Sequence, residues 1–144
     1  MIGIGYEGLT LDAFIDRLQR AQVTMLVDVR LNAISRKAGF SKRALQDALG
    51  AAGIEYRHDR RLGNPKDNRA GYREVGTSVA IAARDRFRDM LRAEVAEAAI
   101  NELRDLATSR SIAVLCFEAD GRHCHREQVI DAVTRSTGSP LVVE

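Results

Sequence analysis

Two stretches, Thr24-Met-Leu-Val-Asp-Val-Arg30 and Ser111-Ile-Ala-Val-Leu-Cys-Phe117, are too short for a buried helix and too evenly apolar for a strand with one wet face. Such runs are strands buried on both sides, the pattern of a parallel sheet covered by helices. A hairpin cannot join parallel neighbours, so each of these strands commits the chain to a crossover, usually a helix.

The intervening segments supply those helices. An apolar run from Ile2 to Tyr6, broken by Gly3 and Gly5, reads as a first strand, and Thr10 then caps a stretch in which Leu11, Phe14, Ile15 and Leu18 recur at helical spacing. Ser41 is the expected N-cap of a helix through Leu45 and Leu49 that stops at Gly53, and Ile54-Glu-Tyr-Arg-His58 reads as a third strand. Asp59 to Gly71, rich in Gly, Asn and Pro, reads as a long loop. Val79 to Leu106 fits two helices better than one, with Phe87, Leu91, Val95, Ile100 and Leu103 as expected core contacts. A last helix near His125 to Arg135, a stop at Gly138 and a strand at Leu141 to Val143 close the order β-α-β-α-β-α-α-β-α-β. The expectation is one α/β domain over residues 1–144, three-layered, with a mainly parallel sheet of about five strands and helices on both faces.

Composition agrees. A chain of 144 residues, 45% hydrophobic, supports one core and needs no disulfide framework, so Cys116 and Cys124 read as thiols. No run is long and apolar enough to span a bilayer, and the N-terminus lacks the basic start and apolar stretch of a secretory signal, so the expected location is cytoplasmic with no membrane partner.

The formal charge of +2 rules out a polycation that holds nucleic acid by bulk charge, so any basic site is local. Positions 28–43 carry five basic residues against Asp28 alone, and positions 57–73 carry six against Asp59 and Asp67. Both segments follow strands, so they emerge at the carboxyl edge of the sheet, where open parallel sheets bind ligands. The expected ligand is therefore an anion bearing phosphate, either a nucleotide or a nucleic acid, held by Arg30, Arg36 and Arg126.

The densest chemistry lies in Cys116-Phe-Glu-Ala-Asp-Gly-Arg-His-Cys-His-Arg126, which leaves a buried strand and enters a helix. Strand alternation puts Cys116 and Glu118 on one face, and likewise Asp28 and Arg30, so four reactive groups are expected to converge if the strand ends are adjacent. Glu118 is the preferred general acid or base. Cys116 is a candidate nucleophile with His125 as its base, and Asp28 orients Arg30. Cys116 and Arg122 match the C-x5-R spacing of cysteine phosphatases, but Glu118 and Asp120 within that loop would repel a phosphate. Cys124 and His125 are the best candidate ligands for a divalent transition metal, although no recognised ligand spacing is present and no cofactor is required. Two alternatives to an enzyme of phosphate-bearing ligands thus stay open: a non-enzymatic nucleic-acid-binding module, and a metal-dependent enzyme using the Cys/His cluster.

Several blocks resemble one family, that catalogued as domain of unknown function 488. They are Ile4-Gly5-Tyr6-Glu7-Gly8, Leu26-Val27-Asp28-Val29-Arg30 with Ser35 and Arg36, Leu62-Gly63, and Leu115-Cys116-Phe117-Glu118 running through Cys124-His125-Arg126. The resemblance implies no particular reaction. It adds Gly5, Tyr6 and Ser35 to the expected ligand-binding positions, with Tyr6 standing where members of the family often carry His.

Overall fold

The computed structural model describes residues 1–135. Four strands, β1 (Ile2–Gly5), β2 (Met25–Asp28), β3 (Glu55–His58) and β4 (Ile112–Cys116), form one sheet in the order β1-β4-β2-β3, with every neighbouring pair parallel. The expected strand at Leu141 to Val143 lies outside the described residues. Among the described residues the α-helices α1 (Leu11–Arg20), α2 (Lys42–Ala51), α3 (Ser78–Met90) and α4 (Glu94–Ala107) connect the strands, and α5 (Arg126–Arg135) follows β4. Among the described residues no helix is long and apolar enough to cross a membrane.

The strand order explains the three layers. From β1 the chain passes over the position of β4 to β2 and then to β3, with α1 and α2 as crossovers. It then reverses from β3 back to β4 through α3 and α4. Right-handed crossovers demand that a reversal of direction be made on the opposite face. Accordingly Leu26, Ala113 and Leu115 pack against Phe14 and Leu18 of α1 and Leu45 and Leu49 of α2. Met25, Val27, Ile112 and Val114 pack against Phe87, Ile100, Leu103, Val129 and Val133 on the other side. Both central strands bury every residue, as their unbroken apolar runs required.

Local signals match at the helix ends. The Thr10 hydroxyl accepts from the Ala13 amide at 3.1 Å, a side-chain N-cap. Ser41 occupies the N-cap of α2 but bonds elsewhere, accepting from the Ser35 amide and donating to the Ser35 carbonyl, which ties down the loop after β2. Two expectations need correction. Val95 is 61% exposed, because the break between α3 and α4 resets the helical phase and Ala96, Ala99, Ile100 and Leu103 take the inner face of α4 instead. The segment from Asp59 to Gly71 is no open loop. It contains 3-10 turns at Arg60–Leu62 and Lys66–Asn68 and enters a third at Ala70–Arg73, with Asn68 donating to Asn64 and to the Ala83 carbonyl.

Candidate functional site

β4 lies between β1 and β2, yet its chain continues to α5 on one face while both neighbours continue to α1 and α2 on the other. The diverging loops open a crevice beyond the carboxyl ends of the strands. A cavity of about 190 Å³ occupies it, lined by Tyr6, Arg30, Ile34, Asn64, Arg69, Tyr72, the segment Cys116 to Glu118 and the segment His123 to His125. A shallower groove continues from it past Glu7, Arg73 and Asp120.

One wall is a buried ion pair. Asp28, fully buried, accepts from Arg30 Nε at 2.9 Å and from a terminal guanidinium nitrogen of Arg30 at 2.6 Å, and also takes the Tyr56 hydroxyl at 2.6 Å. The other terminal nitrogen of Arg30 donates to the Tyr6 hydroxyl and the Phe40 carbonyl. Four of the five guanidinium N–H groups are thereby engaged, and the Tyr56 hydroxyl on the same Asp28 oxygen also interacts with the guanidinium. Burial pulls the guanidinium pKa down, but the bonds and charge of Asp28 outweigh it and hold the pKa above the ordinary value. Tyr6 stacks on Phe40 with ring centroids 4.5 Å apart, which fixes the hydroxyl under Arg30.

The opposite wall corrects the reading of the cysteines. Cys116 and Cys124 are joined in a disulfide, and both are buried. A core of this size needs no such bond, which is why composition gave no hint of it. The pairing is made by the loop between them, which a 3-10 turn at Gly121–His123 folds back so that Cys124, two residues before α5, meets the end of β4. His125, 5% exposed, packs edge-on against Phe87. Its Nε2 lies 2.8 Å from the Val29 carbonyl, which can only accept, so the proton sits on Nε2 and the Nδ1 lone pair faces the two sulfurs at 3.9 and 3.8 Å. Burial, chiefly, pulls its pKa down to about 4. The two sulfurs and Nδ1 lie within 4.8 Å of one another. Sulfurs bonded to each other offer no thiolate to a cation, so the disulfide argues against a metal held by Cys124 and His125.

The four groups expected to converge are split by the register. Asp28 pairs with Leu115, so Cys116 faces the α3–α5 side while Asp28 and Arg30 face the α1–α2 side, and the cavity straddles the sheet edge between them. Tyr6, Arg30, Cys116, Glu118, Cys124 and His125 line it. Asp28, Gly5, Ser35, Arg36 and Arg126 do not. Arg36 is exposed, and Ser35 accepts from the Lys37 amide. Arg126, 3% exposed, lies across Gly3 and donates to the carbonyls of Glu118 and Ala119, bracing the loop after β4. Asn64 and Arg69 line the cavity without being singled out by the sequence. The Asn and Gly richness of their segment signalled a loop, but only the 3-10 turns aim it at the crevice.

Gly5 serves the site by being small. A Cβ there would overlap the Glu118 carbonyl, a backbone atom with no freedom to swing away. Gly5→Ala is therefore expected to destabilise the protein by about 1–3 kcal/mol, read from its urea unfolding midpoint. An unchanged midpoint would show that the loop after β4 can move aside.

The family model described as domain of unknown function DUF488 matches residues 10–133. The chain belongs to this family. The match spans α1 to α5 and includes the buried ion pair and the disulfide wall. No curated protein and no solved structure matches this DUF488 chain.

Proposed function

We propose that this DUF488 protein is an enzyme acting on a small phosphate-bearing ligand, a nucleotide in preference to a nucleic acid, in the cavity at the carboxyl ends of its strands. The observation that carries the reading is the mixture of groups meeting in one crevice. Arg69 spends only Nε, on the Asn64 carbonyl, so its terminal nitrogens can fork onto an anion beside the Arg30 guanidinium. Glu118 feels the charge of Arg126 without forming a salt bridge among the described residues, and it stands at the junction of cavity and groove, suited to proton transfer. Ile34 and Phe117, 78% and 42% exposed, form an apolar lip on which a planar base can rest.

The small volume of the cavity, about 190 Å³, favours a small ligand over a polymer. So do the tyrosines, because all three are engaged within the fold: Tyr6 on Phe40, Tyr56 on Asp28 and Tyr72 on Gln128. None is a free stacking platform of the kind single strands use.

Thermal shift at low salt with phosphate, sulfate, mononucleotides and oligonucleotides tests the reading. Stabilisation is expected to saturate with mononucleotides, following RT ln(1 + [L]/Kd), and Arg69→Gln is expected to weaken it about tenfold or more. Glu118→Gln should keep the binding and lose nucleotide turnover followed by chromatography. Absence of stabilisation by any of these anions would overturn the proposal. Affinity that climbs with oligonucleotide length and falls steeply with salt would assign a nucleic-acid-binding module instead.

A further inference from the structure

A buried imidazole nitrogen faces the disulfide. His125 Nδ1 is deeply buried, its lone pair points at Cys116 and Cys124, and sulfurs bonded to each other carry no hydrogen to donate. Reduction would supply two S–H donors within reach of it, so the dithiol form gives this buried acceptor the donors that the disulfide cannot supply. A structural disulfide has no use for such a neighbour.

We propose that the Cys116–Cys124 pair is an exchange-active disulfide for small thiols entering the cavity, with His125 Nδ1 as the hydrogen-bond acceptor of the thiols that reduction forms. The inference stands on the sulfur and imidazole geometry and is independent of the anion reading. The class of partner follows from access: the cysteines are 7% and 5% exposed and reached through a cavity of about 190 Å³, which admits a small thiol but not a cysteine presented on another folded protein.

The two sulfurs are not equivalent. Cys116 Sγ lies 3.5 Å from a Glu118 carboxylate oxygen, which disfavours a thiolate there and accepts from a thiol. Cys124 stands two residues ahead of the first residue of α5, a ten-residue helix whose free N–H ends stabilise negative charge. Cys124 is therefore the leaving sulfur. A thiol RSH gives its proton to solvent, and the thiolate RS⁻ attacks Cys116 Sγ. The Sγ–Sγ bond breaks, its electron pair goes to Cys124, and Cys124 takes up a proton from solvent and donates it in a hydrogen bond to His125 Nδ1. A second RSH attacks the sulfur of R in the mixed disulfide, releasing RSSR, and its proton passes to Cys116. Two RSH and one disulfide thus become RSSR and two cysteine thiols, with RSH the reductant.

The test uses the intact protein equilibrated without oxygen at pH 7 in graded mixtures of 2-mercaptoethanol and its disulfide, quenched in acid, alkylated and weighed by mass spectrometry. The pair is expected to be reduced by millimolar thiol while the protein still unfolds cooperatively. His125→Gln, whose amide can still donate to the Val29 carbonyl, is expected to shift the equilibrium about tenfold toward the disulfide, the worth of one buried hydrogen bond. A pair still oxidised in the folded wild-type protein at hundredfold more thiol would overturn the proposal, whatever the variant does. So would reduction no faster than unfolding, or faster reduction by a protein dithiol than by 2-mercaptoethanol at equal thiol concentration.

Discussion

Replacing Asp28 with alanine should cost about 3–5 kcal/mol of unfolding free energy, a large fraction of what a domain of this size has to lose. The carboxylate is fully buried and accepts four hydrogen bonds: from the Arg30 amide, Arg30 Nε, an Arg30 terminal nitrogen and the Tyr56 hydroxyl. Removing it strands the Arg30 guanidinium, 7% exposed, between Tyr6 and the Phe40 carbonyl with no counter-charge. The penalty comes from that uncompensated charge and not from the worth of the pair itself. The double variant Asp28→Leu with Arg30→Met should therefore recover much of the loss. Urea unfolding of the single and double variants measures both numbers. A single variant within about 1 kcal/mol of wild type would mean that water reaches Arg30 and that this wall of the cavity is open.

The second large effect is a loss of stability in mild acid. His125 titrates at about 4 in the folded protein against an ordinary 6.5, so the unfolded chain binds the proton first. The sign follows from linkage: below about pH 6.5 protons favour the unfolded state, and stability falls until about pH 4, where the folded imidazole is itself protonated. The full difference is worth about 3 kcal/mol. Glu102, held down to about 2 by hydrogen bonds from Arg61 and Arg57, responds only at lower pH, so the two windows separate. Stability measured by urea between pH 7 and 4 should slope for the wild type and lie flatter for His125→Gln. Equal slopes would show that His125 is hydrated and would remove the basis for its fixed tautomer.

Part of the candidate site is legible in the sequence. Tyr6, Arg30, Cys116, Glu118, Cys124 and His125 all line the cavity, because the carboxyl ends of parallel strands must share one edge. Two of the three arginines expected to hold the anion lie elsewhere. Arg126 sits beneath the loop it braces and Arg36 points away, since a positive residue near a site can as well hold carbonyls or meet water. Arg69, which lines both cavity and groove, was invisible among the other basic residues of its segment.

Local pattern determined what depends on short range. Unbroken apolar runs meant strands buried on both faces, helical spacing supplied their crossovers, and chirality of the connections then required helices in two layers. Tertiary structure alone decided what depends on register and on loop closure. A one-residue offset in a strand pairing reverses the face a side chain occupies, so whether Cys116 met Asp28 or His125 was set by the alignment of Asp28 with Leu115. The disulfide likewise required the turn at Gly121–His123 to bring a helix start back onto a strand end, a contact that no spacing of eight residues encodes by itself.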